Sequence, residues 1–213
     1  MEGKYQVIQL HPIPVCQPEE EYKIDARTLK FIKSLKYGSR GDGHWRSGHG
    51  DRSIDSYVLN RKEFSGLKTF IEKHINFYAH DLLKMSKKYK FYITQSWFNI
   101  SKKGEDHHEH WHANSLISGV FYVAGDECPL YFANSKSCVF GDNFDLEIDE
   151  ANEWNGNSWW VPNSNFKLLL FPSNVKHFVL PNESDTPRIS LAVNTFIKGR
   201  IGQEDKLTEV FFK

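Results

Sequence analysis

Polar and apolar positions along the chain follow two different periods, and the change from one to the other falls near residue 90. Between Glu63 and Met85, the residues Leu67, Phe70, Ile71, Ile75, Tyr78 and Leu82 recur three and four apart, which predicts a helix with one apolar face. Arg27 to Leu35 predicts a shorter helix. After Lys90 the pattern becomes a series of short segments rich in β-branched and aromatic residues, separated by turn formers. They are Phe91 to Ile100, Ser115 to Val123, Leu130 to Ala133, Ser158 to Val161, Phe166 to Phe171 and Arg188 to Ile197. Tyr5 to Leu10 alternates weakly, which suits a short opening strand before the stiff His11-Pro12-Ile13-Pro14. Tyr37 to Ser53 holds five glycines and predicts a long irregular loop. Its Trp45, Arg46 and His49 suit a segment that closes over a substrate mouth.

Helices followed by many short strands predict a mainly β protein, an antiparallel sandwich or barrel with a helix covering one sheet. A length of 213 residues fits one domain, 1–213, with a helical part over about 1–89 and a β core over about 90–213.

Composition narrows the classes without choosing a partner. Lys plus Arg and Asp plus Glu both number 27, and no block of like charge reads as a nucleic-acid or membrane arm. Cys16, Cys128 and Cys138 are an odd set without CxxC spacing, which argues against a disulfide framework and for a reducing, cytoplasmic setting. The apolar run Leu168 to Phe171 is far too short to cross a bilayer.

Chemistry concentrates in His107-His108-Glu109-His110-Trp111-His112. On a strand, residues two apart share a face, so His110 and His112 can point two imidazoles at one ion. A third ligand must come from elsewhere, and His177, just beyond the apolar strand Leu168 to Phe171, is the best placed. Three protein ligands leave open positions, as in a facial-triad oxygenase. A solvated loop that scavenges metal is the bland alternative for the hexapeptide, and a hydrogen-bonded structural role is the alternative for His177.

Arg188 opens an alternating segment in which Arg188, Ser190, Ala192 and Asn194 share one face and Ile189, Leu191 and Val193 the other. A guanidinium and a hydroxyl on an inner face can clamp a carboxylate; an edge strand with its polar face in water is the competing reading. Ile93, Gln95, Trp97 and Asn99 share a face of the preceding long strand, and Asn99 is a further candidate for lining a co-substrate pocket.

These stretches resemble the 2-oxoglutarate and iron(II)-dependent dioxygenase superfamily, specifically a prolyl-hydroxylase-like branch common in marine bacteria and phages. His110-Trp111-His112 running into Ser118-Gly119-Val120-Phe121-Tyr122 is similar to that branch's His-x-His motif and following strand. Leu169 to Ser173, His177 and Arg188-Ile189-Ser190 are similar to its distal half, and Gly43 to Ser47 to a weaker upstream element. The resemblance implies a double-stranded β-helix, or jelly roll, with Fe(II) on His110, His112 and His177. It also implies 2-oxoglutarate chelating the metal and meeting Arg188 and Ser190 through its distal carboxylate, with Asn99 nearby. O2 and 2-oxoglutarate would be consumed, succinate and CO2 released, and a C–H bond of a peptide or small molecule hydroxylated.

The superfamily's usual proximal motif is His-x-Asp or His-x-Glu, whereas this chain has His-x-His, so His107 and Glu109 stand as alternative ligands. Two other classes compete: a non-catalytic cupin-like metal-binding or sensing protein, which would not need Arg188 with Ser190, and a zinc hydrolase with Glu109 as base.

Overall fold

The structure is a computed structural model that describes residues 6–38, 50–134 and 147–212. The element around Gly43 to Ser47, with Trp45, Arg46 and His49, lies outside the described residues, as does Cys138.

Helix α1 (Ala26–Ser34) starts at Asp25, whose carboxylate accepts a hydrogen bond from the Thr28 N–H at 2.6 Å and caps the first turn. Helix α2 (Ser65–Asn76) carries the longer apolar stripe and continues into a π-helical stretch, Phe77–Leu82. Leu67, Phe70, Ile71, Ile75 and Tyr78 are buried as the spacing predicts. Leu82 is not, because the wider turn rotates it out of the stripe.

The strands are β1 (Tyr37–Gly38), β2 (Asp51–Ser53), β3 (Lys90–Ser101), β4 (His107–His110), β5 (Ile117–Ala124), β6 (Leu130–Ala133), β7 (Ser158–Val161), β8 (Leu168–Pro172), β9 (His177–Val179), β10 (Arg188–Ile201) and β11 (Val210–Phe212). They form a seven-stranded sheet in the order β1-β2-β3-β10-β5-β8, with β11 also on β10, and a four-stranded sheet β4-β9-β6-β7. Every pairing between these strands is antiparallel. The fold is a mainly β double-stranded β-helix with N-terminal helices.

Alternation divides the large sheet into two faces. Phe98, Phe121, Val123, Leu168, Leu170, Ile189, Leu191 and Val193 pack with α1 and α2 in the main core. Tyr122, Leu169 and Phe171 point the other way, and with Leu130 of the small sheet they form a second cluster between the sheets. Both faces of β8 are therefore buried, which explains its unbroken apolar run. Its outer edge is closed by Cys16, which exchanges two backbone hydrogen bonds of 2.8 Å with Leu170.

Three expectations change. Residues 6–10 form no strand, and Val7, Ile8 and Leu10 are exposed; Cys16, not this segment, occupies the free edge of β8. The ends of the expected loop Tyr37 to Ser53 are short paired strands, Tyr37 opposite Ser53. Ile93 does not share a face with Gln95, Trp97 and Asn99. A register shift opposite Asn194/Thr195, where Thr94 Oγ1 donates to the Asn194 carbonyl, turns Ile93 into the main core.

On α2, His74 is buried against the Phe70 ring, with Nε2 3.3 Å from Glu20 Oε2. Burial pushes its pKa below the usual histidine value, and the Glu20 charge opposes that only in part. The unfolded chain therefore binds this proton more readily, so stability is full above about pH 6.5 and is lost as pH falls towards the folded value. His74→Leu should flatten this part of the profile. Melting temperatures of the metal-free protein between pH 7 and pH 5 check it: the variant should gain on wild type as pH falls, and parallel curves would remove the assignment.

Candidate metal and co-substrate site

His110 and His177 are cross-strand partners on β4 and β9, so the pairing of the small sheet brings them together. Their ring centroids are 4.3 Å apart. His112 arrives differently. The strand stops at His110, and His112 sits in the following loop, its N–H donating to the Ser173 carbonyl at 2.9 Å and its ring stacked on Trp97. A shared strand face therefore does not bring His110 and His112 together; a loop folded back on the turn after β8 does.

One nitrogen from each of His110, His112 and His177 lies within 4.8 Å of the others. The Nε2 atoms of His112 and His177 are 3.2 Å apart. Two nitrogens about 2.1 Å from one ion and at right angles to each other stand about 3 Å apart, so this spacing fits adjacent positions on one metal.

Tautomers fit as well. His110 Nδ1 is 2.8 Å from the His108 carbonyl, and His177 Nδ1 is 2.9 Å from the Val175 carbonyl. Each contact needs the proton on Nδ1, which leaves the Nε2 lone pair for a ligand. His177 is 5 % exposed. Burial pushes its pKa down to about 4, the His112 charge acts in the same direction and the Val175 hydrogen bond against it, so the ring is neutral near pH 7. Three neutral imidazoles suit iron, zinc, copper or nickel.

The alternative pair is not assembled. Glu109 points to the rim, where its carboxylate meets Lys176 Nζ at 3.0 Å, and neither it nor His107 belongs to the three-histidine group.

Further along the interior lies the second polar cluster. Register on β10 sets Arg188 opposite Ser101, Ser190 opposite Asn99 and Ala192 opposite Trp97, with Ser190 also opposite Tyr122 of β5. Trp97 touches His112, so the row from Trp97 to Ser101 runs from the histidines to Arg188. The Arg188 side chain is 7 % exposed; Nη2 donates to Ser101 Oγ at 3.2 Å and Nη1 lies against Cys128 Sγ at 2.6 Å.

Tyr122, Ser101 and Cys128 are members that the sequence reading missed, since only register shows which residues of β3, β5 and the loop after β5 meet Arg188. The Tyr122 phenol is pushed up to about 12 by burial, against a hydrogen bond with Asn163 and the Arg188 charge, so it remains a proton donor. Asn163 exchanges two hydrogen bonds with the Cys128 backbone and fixes that loop. A cavity of about 240 Å³ reaches Arg188 and Tyr122 from the end remote from the histidines.

Residues 95–194, which carry both clusters, match the family described as "Putative 2OG-Fe(II) oxygenase". This segment, a little under half of the chain, belongs to the 2OG-Fe(II) oxygenase family. Iron(II) is therefore the oxygenase's metal and 2-oxoglutarate its co-substrate. No curated protein sequence matches the chain.

Among solved structures, the fold of this oxygenase is similar to a 2OG-Fe(II) oxygenase family oxidoreductase from Burkholderia pseudomallei (11% identity, TM-score 0.55, 85% of this chain and 83% of that one). It is also similar to a prolyl-4-hydroxylase from Pseudomonas putida (14%, 0.52, 86% and 92%). A third is HygX from Streptomyces hygroscopicus, solved with nickel, 2-oxoglutarate and hygromycin B (9%, 0.55, 86% and 82%). Among the described residues, no helix is long and apolar enough to cross a membrane.

The ion pair at Glu109 yields an expectation for the rim. Glu109→Gln should change iron(II) affinity less than about twofold and stability by less than about 1 kcal/mol, because an exposed pair contributes little. Anaerobic iron titration and chemical denaturation of the variant check both values, and a large loss of iron binding would restore the His107/Glu109 alternative.

Proposed function

We propose that this oxygenase hydroxylates a C–H bond of a peptide side chain or a small molecule, with iron held by His110, His112 and His177 and the distal carboxylate of 2-oxoglutarate held by Arg188. The observation that carries the reading is the single interior row, with three convergent imidazole nitrogens at one end and a buried guanidinium at the other. Iron(II) with 2-oxoglutarate and O2 supplies the oxidising chemistry, in which the keto acid becomes succinate and CO2 and the substrate gains a hydroxyl.

The chain's own residues bind and orient. His110 and His177 present Nε2 because backbone carbonyls hold their Nδ1 protons. Arg188 meets a carboxylate with a planar fork, and Ser190 and Asn99, opposite each other one step nearer the histidines, line the path between. Tyr122, kept protonated, can donate to the same carboxylate. Leu130, Leu169 and Phe171 exclude water from the space beside that path. A dicarboxylate leaving water needs these donors, since a buried carboxylate without partners is costly.

Anaerobic addition of iron(II) and 2-oxoglutarate should give a visible charge-transfer band, and admission of air should release succinate. His110→Ala, His112→Ala and His177→Ala should each abolish stoichiometric iron binding. Arg188→Ala should leave iron bound but weaken 2-oxoglutarate by something on the order of 3 kcal/mol, roughly a hundredfold, and Arg188→Lys by less. No band at saturating reagents would favour a metal-binding or sensing protein, and equal 2-oxoglutarate affinities in all Arg188 variants would remove that residue from the site.

A further inference from the structure

Ser173, in the turn that leaves β8, is fully buried, and its carbonyl, N–H and hydroxyl all meet the segment from His112 to Ser118. The carbonyl accepts from the His112 N–H at 2.9 Å, and the Ser173 N–H donates to the Leu116 carbonyl at 3.1 Å. Its Oγ lies 2.8 Å from Ser118 Oγ and 2.8 Å from Ser115 Oγ. The two backbone bonds close both ends of the loop His112 to Leu116, which turns through Asn114 at φ 56°.

The hydroxyls extend the tie into the large sheet. Thr195 N–H donates to Ser115 Oγ at 3.1 Å, and Ser118 Oγ donates to Asn194 Oδ1 at 3.2 Å. On its other side Ser173 belongs to the turn in which Val175 N–H donates to the Pro172 carbonyl at 3.1 Å. Val175 is also the residue whose carbonyl holds His177 Nδ1.

We propose that Ser173 is a positioning residue for the metal centre, fixing the His112 imidazole relative to His177 by spanning the loop that carries one and the turn that orients the other. The proposal rests on reading His112 and His177 as ligands. His112 has no strand ladder of its own, so its place depends on what tethers the loop. A ligand must stay within about 0.5 Å of its productive position, and supporting residues outside the ligand set commonly change metal affinity 10–100-fold. Removing the Ser173 hydroxyl keeps the two backbone bonds but takes one buried partner from each of Ser115 and Ser118, which loosens the tie between the loop and the turn.

The test is anaerobic iron(II) affinity, with melting temperature of the metal-free protein as the second readout. Ser173→Ala should bind iron roughly 10–100-fold more weakly, and the half-buried Ser115→Ala should fall in the same direction. Ser53→Ala is the control: Ser53 is equally buried and its Oγ accepts from Phe98 N–H and donates to the Asp55 carbonyl, partners that lie outside the His112 to Ser118 segment and the turn after β8. It should lower the melting temperature comparably while iron affinity stays within about twofold of wild type. If Ser173→Ala fails to fold, Ser115→Ala carries the comparison. Wild-type affinity in the folded serine variants, with affinity lost in His112→Ala, would overturn the positioning role and leave the ligand set standing. Wild-type affinity in His112→Ala would instead remove the ligand reading, and the positioning role with it.

Discussion

The antiparallel pairing of β3 with β10 is the constraint on which the rest of the structure depends. It runs from Arg188 opposite Ser101 to Lys198 opposite Lys90, with one irregularity beside Asn194. Because side chains alternate, the same pair of strands must satisfy two opposite environments. One face gives Phe98, Ile189, Leu191 and Val193 to the core under the helices; the other gives Trp97, Asn99, Ser190 and Arg188 to the interior between the sheets. A slip of one residue would exchange them, placing a guanidinium against α2 and leucine where the co-substrate is proposed to lie.

The small sheet solves a separate problem. The proposed ligands must be neutral and held still; burial meets the first demand at His177 and backbone groups meet the second. Pairing of β4 with β9 aligns His110 and His177, carbonyls two residues earlier in each case fix the tautomers, and burial keeps His177 neutral. A site of three imidazoles carries one more positive charge with iron(II) than a two-histidine, one-carboxylate site. Arg188, by contrast, is kept away from the histidines along the row, so that the buried guanidinium does not oppose a cation directly. Its hydrogen bond from Nη2 to Ser101 holds one arm of the fork in place.

Much of the fold was legible from period alone. The strands Leu130–Ala133 and Ser158–Val161 appear with the expected bounds, and the long strands and both helices differ from expectation by a few residues at their ends. What period does not encode is partnership. The weak alternation before Leu10 forms no strand and leaves Val7, Ile8 and Leu10 exposed, while the short β4, β9 and β11 are each held by a partner alongside.

The sequence by itself determined which side chains were available: a cluster of histidines, a further histidine after an apolar strand, and an arginine at the head of an alternating segment. Residue type and alternation carry that information because metal and carboxylate chemistry admit few side chains, and a sheet has two faces. Only the tertiary structure decided how they meet. His110 finds His177 across a ladder, His112 reaches them from a loop tied to Ser173, Glu109 is drawn to Lys176, and Tyr122, Ser101 and Cys128 gather at Arg188. Each of these depends on register between segments far apart in the chain, and register is set by the packing of the whole core, not by any local pattern.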